Sequence, residues 1–100
     1  MVVNLPHIEE VQALCSNHRV RHLYAFGSVL TESFDSESDV DLLVDFEAMD
    51  PTDYADNYFD LKFSLQKLFN RRVDLIEEKA IKNPFFRKSI ESRKRLVYGR

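Results

Sequence analysis

Residues 23–46 read LYAFGSVLTESFDSESDVDLLVDF, and the two apolar runs at either end of this stretch set the architecture. The first belongs to Val20–Phe26 (VRHLYAF), which predicts a strand that stops at Gly27. The second, Asp39–Phe46 (DVDLLVDF), predicts another strand with an apolar centre. Between them Ser28–Ser38 is polar and carries turn formers, so it reads as a short helix or turn and then a loop. Strand side chains alternate, so Asp39 and Asp41 share one face while Val40, Leu42 and Val44 fill the other. The two aspartate Cα atoms should lie about 7 Å apart. That spacing lets them grip a hard cation, or a pair about 3.5–4 Å apart, from one side. Without a cation the two charges repel each other on an otherwise apolar strand. Gly27 permits a tight turn and close approach of a phosphate to the backbone. The Ser28 hydroxyl and the following N–H groups could hold terminal phosphates at a helix N-terminus.

Outward from this core, Asp50-Pro51-Thr52-Asp53 is a helix start: Asp50 as N-cap, Pro51 at the first helical position, and Asp53 like the acidic end of a capping box. Tyr54, Tyr58, Leu61, Leu65 and Leu68 then recur at helical spacing to about Phe69. Arg72–Glu77 (RVDLIE) predicts a third strand. Its Asp74 is expected to face inward, where a lone carboxylate is costly unless paired or liganded. A strand about 4.8 Å away would let Asp74 complete a three-carboxylate cluster. Upstream, Ile8, Val11, Leu14 and Cys15 predict a helix from about His7 to Asn17, and Asn83-Pro84 starts a last helix with Phe86 and Ile90 one turn apart. The order α, β, loop, β, α, β, α gives an α+β (mixed α/β) class: a small mixed sheet with helices packed mainly on one side. Residues 1–100 are read as one domain.

Composition narrows the function. Hydrophobic residues make up 44% of the chain, which favours folding over disorder. No apolar run approaches the roughly 20 residues that span a membrane. The N-terminus lacks a basic region followed by an apolar one, and Cys15 is the only cysteine, so a cytoplasmic protein is expected. Charges segregate: Thr31 to Asp60 holds 11 acidic residues and no Lys or Arg, while Lys79 to Arg100 holds eight basic residues and one acidic. This is either two solvated faces or an acidic metal-binding edge beside a basic surface that meets phosphates or an acidic partner. The basic end, with Phe85, Phe86 and Tyr98, is read as solvated or partner-facing ahead of RNA-binding. Phe59 and Phe63 widen the long helix stripe, which leaves room for a subunit or partner interface and for a homo-oligomer. His7, His18 and His22 show no metal-ligand pattern. Asp45, near its strand end, is read as solvated, and Cys15 as a small core residue.

The stretch from Leu23 to Phe46 resembles the Gly-Ser…Asp-x-Asp signature of the DNA polymerase beta-like nucleotidyltransferase superfamily. It is most similar to the minimal nucleotidyltransferases (MNT), often the antitoxin partners of HEPN-type ribonuclease toxins. The resemblance covers nearly the whole chain, because the third acidic strand and flanking helices fall where such a domain has them. It implies that Gly27 and Ser28 bind the triphosphate, that Asp39 and Asp41 hold Mg²⁺ or Mn²⁺, and that Asp74 holds a second ion or assists the attacking hydroxyl. It implies ATP as substrate, AMP as the transferred group, and a tyrosine of a HEPN-type toxin as acceptor. Members often carry Arg-Gly a few residues after the serine; this chain has Thr31-Glu32, which removes a phosphate-contacting cation. An antitoxin that blocks its toxin sterically without catalysis is the alternative. A small-molecule transferase is disfavoured by the lack of an acceptor-binding domain.

Overall fold

In the computed structural model, residues 5–26 and 39–99 are described. Helix α1 (Ile8–Asn17) leads into strand β1 (Val20–Phe26). Strand β2 (Val40–Phe46), helix α2 (Pro51–Phe69) and strand β3 (Val73–Glu77) follow. A 3₁₀ turn (Glu78–Ala80), helix α3 (Pro84–Arg93) and strand β4 (Arg95–Tyr98) complete the order among the described residues. The sheet runs β3-β2-β1-β4. β1 is antiparallel to both its neighbours, and β2 and β3 are parallel, joined by α2 as the crossover. The sheet is therefore mixed, as the sequence predicts.

The local signals act where they are read. The Asp50 carboxylate accepts from the Thr52 N–H at 3.0 Å, and Pro51 opens α2. Asn83 caps α3 in the same way, accepting from the Phe85 and Phe86 N–H groups, with Pro84 at the first position. α2 ends at Asn70 in the left-handed region (φ 55°), which a short polar side chain tolerates.

Alternation divides the sheet into two faces. Val40, Leu42, Val44 and Phe46 of β2 join Leu23 and Ala25 of β1, Val73 and Leu75 of β3, and Val97 of β4 in the main core. Val11 and Cys15 of α1 and Leu61, Leu65 and Phe69 of α2 close that face. On the other face Leu43 is buried with Ile81 and Ile90, flanked by Tyr24, Phe26 and Ile76. Among the described residues, α1 and α2 thus cover one side, and α3 caps part of the other. Lys94, just past α3, lies 4.1 Å from the Tyr24 ring centroid and pins this cover to β1.

Two features depart from the sequence reading. Strand β4 was not anticipated; it is four residues long and lies at the sheet edge beside β1. Asp74 does not face inward: it is exposed between buried Val73 and Leu75, because it points to the face that α3 leaves open. Among the described residues, no helix is long and apolar enough to cross a membrane.

Candidate active site

The carboxylates gather on the sheet face that α3 covers only in part. Asp41 is half-buried in β2, with Phe26 of β1 opposite it on one side and Asp74 of β3 in register on the other. Parallel neighbours of this kind project to the same face about 4.8 Å apart. Asp39 sits one residue before β2, exposed, and by alternation shares the face of Asp41. The sheet therefore builds a row, Phe26–Asp41–Asp74, with Asp39 at its outer edge. Two rows further along the same face lie Tyr24, Leu43 and Ile76, under α3.

Of the sequence-predicted set, the fold brings Asp41 and Asp74 side by side and sets Asp39 beside them at the mouth of the sheet. Among the described residues, no three His, Cys, Asp or Glu side chains close into a ready-made ion cage. The donor chemistry nonetheless fits a hard divalent cation: in-register carboxylates on a partly open face repel, and an ion between them relieves it. Gly27, Ser28, Thr31 and Glu32 lie outside the described residues.

Electrostatics near the row reach into α2. The Tyr58 hydroxyl donates to the Leu75 carbonyl. Burial pushes its pKa up, and the charges of Glu77 and Asp74 push it further. Tyr54 is raised as well, first by burial and then by its hydrogen bond to Glu77. Both phenols therefore stay neutral hydrogen-bond donors beneath the carboxylate edge.

The reading of Asp45 is corrected. It shares the face of Asp41, but its side chain is only 14% exposed and lies 3.4 Å from His22 Nδ1 and 3.8 Å from Arg21. A register shift between Val20 and His22 sets His22 directly opposite Asp45. Asp45 belongs to a paired cluster at the far end of the sheet, separate from the acidic row. The signal was present as two basic-capable side chains, Arg21 and His22, on the preceding strand. Cys15 is buried as expected, and burial pushes its thiol up to about 12.

A mixed sheet that offers same-face carboxylates from two adjacent strands has the layout of a nucleotidyl-transfer fold, and the chain belongs to the nucleotidyltransferase domain family, which matches residues 9–97. Within it the chain is of the minimal type. A solved structure provisionally described as a minimal nucleotidyltransferase is 31% identical with a TM-score of 0.73, covering 88% of this chain and 86% of that one. A Methanocaldococcus jannaschii protein, provisionally named a protein adenylyltransferase, is 35% identical over 78 residues, or 78% of this chain and 77% of its own length. The fold is shared with a complex of tri-AMPylated Shewanella oneidensis HEPN toxin and MNT antitoxin. That match has a TM-score of 0.60 and 16% identity, and covers 93% of this chain and 70% of that one. The protein is an enzyme of the nucleotidyltransferase class.

Proposed function

We propose that this nucleotidyltransferase moves AMP from ATP to a hydroxyl of a partner protein, and that the partner is a HEPN-type toxin silenced at a tyrosine. The observation that carries the reading is the in-register pair Asp41–Asp74 with Asp39 at its edge. The name of the jannaschii relative and the AMPylated toxin of the Shewanella complex support the choice of group and acceptor.

In this reading Asp39 and Asp41 hold Mg²⁺ or Mn²⁺, with Asp74 as the third carboxylate. Bound there, the cation neutralises charge on the phosphate oxygens. Gly27 and Ser28 cradle the terminal phosphates. The acceptor oxygen attacks the α-phosphorus in line: a phosphorus–oxygen bond forms, the bond to the pyrophosphate oxygen breaks, and pyrophosphate leaves. The hydroxyl proton goes to Asp74, which then returns it to water. The α3 cover over Leu43 keeps one side of this space apolar.

The test is incubation with α-phosphate-labelled ATP, Mg²⁺ and the product of the adjacent gene. Label on that protein, lost with Asp39→Asn/Asp41→Asn, is the expected result. No transfer with tight association instead supports steric neutralisation. One observation favours that second reading: Phe59 and Phe63 stack at 6.0 Å on the outer side of α2, 49% and 58% exposed, as a surface for a partner.

A further inference from the structure

Three carboxylates around one face that attract a cation also repel a triphosphate. MgATP keeps a net negative charge, so nucleotide binding calls for a basic side chain on the same face. The neighbouring sequence supplies none: from His22 to Leu61 there is no lysine or arginine. The topology has to deliver it from elsewhere, and three basic residues come near the row.

Two of them are committed otherwise. The Lys94 ammonium is held over the Tyr24 ring and 3.1 Å from Glu91, two rows away from Asp41. Arg95 pairs with Ala25, whose side chain is in the α1–α2 core, so alternation sends Arg95 to the opposite face from Asp41. Its guanidinium also donates to the Arg93 and Lys94 carbonyls.

Arg72 is different. The Val40 N–H donates to the Arg72 carbonyl at 3.0 Å, which extends the parallel register of β2 and β3 by one step and sets Arg72 beside Asp39. Val73 and Leu75 are buried, whereas Arg72 and Asp74 are exposed. Arg72 therefore projects to the same face as Asp74, Asp41 and Asp39. Among the described residues its guanidinium makes no ion pair. It is a cation on a long stem at the rim of the acidic row, with a planar fork suited to phosphate oxygens.

We propose that Arg72 binds the phosphate chain of the nucleotide and takes the place of the arginine that Thr31-Glu32 lacks. The assignment rests on the nucleotidyl-transfer reading above. Without that role, Arg72 is a solvated strand-end charge whose removal changes nothing.

Calorimetric titration of the full chain with MgATP separates the two. Arg72→Gln should weaken MgATP binding by about tenfold or more, the scale of one charge-assisted contact. Arg72→Lys should recover part of the loss, and the affinity of Arg72→Gln should depend less steeply on salt. Circular dichroism should remain that of the wild type, since the side chain is exposed. Equal MgATP affinity for wild type and Arg72→Gln overturns the assignment and leaves the nucleotide reading standing. A wild type that binds no MgATP overturns both.

Discussion

Asp74 costs the sheet stability where it stands. Its carboxylate is in register with that of Asp41, and like charges on directly neighbouring strand positions destabilise by about 0.2–1 kcal/mol. Asp74→Asn should therefore raise the melting temperature by a few degrees. The same change should lower transfer to the partner by about 10²-fold, the range of a lost general base. Scanning calorimetry beside label transfer checks both; a lowered melting temperature would mean that Asp74 is structural. Cys15 gives a pH prediction. Burial raises its thiol from 9.0 to about 12, so the folded state favours the neutral form. That stabilisation is complete below pH 9.0 and is lost as pH rises through about 12, so the denaturant midpoint should fall across that window. Cys15→Ala should fall less steeply. At Gly99 φ is +104°, and an added Cβ would lie 2.3 Å from the Arg21 carbonyl oxygen. Gly99→Ala should destabilise by about 1–3 kcal/mol, read from urea unfolding. At this scale the apolar alternation of β2, Val40, Leu42 and Val44 in the core, was readable from one strand alone, whereas the outward face of Asp74 was not. The pairing of Asp45 was not, because it depends on a bulge that slides His22 opposite it.

Helices announce themselves through their ends. Asp50-Pro51 and Asn83-Pro84 each combine a capping side chain with a residue preset for the first turn, so the starts of α2 and α3 were legible in the sequence. Asn83 holds the N–H groups of Phe85 and Phe86 and so fixes the entry of α3, which lies over the face that carries the candidate site. Asn83→Ala should cost about 1 kcal/mol and lower the melting temperature by about 4–8 °C. Far-ultraviolet circular dichroism with thermal melts measures it; an unchanged melt would show that Arg87, which donates to the Glu78 and Ile81 carbonyls, secures the turn unaided. β4 was hidden for a physical reason. Its four residues include one buried side chain, Val97, and an exposed Leu96, so no alternation of useful length exists. Its pairing is dictated by the free edge of β1, which local sequence does not encode.

Taken whole, the molecule gathers Asp39, Asp41 and Asp74 at one end of a sheet face, and a ligand that joins them should add to its stability. MgATP at a hundredfold excess over its dissociation constant should contribute about 2.7 kcal/mol, visible as a higher melting temperature. ATP with a chelator should give much less, and Asp39→Asn/Asp41→Asn should give none. The parallel pairing of β2 with β3 has a further effect, on the order of assembly. Asp41 and Asp74 meet across the whole of α2, whereas β2 joins β1 as a nearer, antiparallel neighbour. A hairpin of β1 and β2 can therefore form while the chain still lacks Asp74, and the acidic row is completed only when the slower, non-local contact closes. A chain emerging from the ribosome would present Asp39 and Asp41 well before it could assemble the full row, so the row is completed by the β2–β3 pairing rather than by the first hairpin.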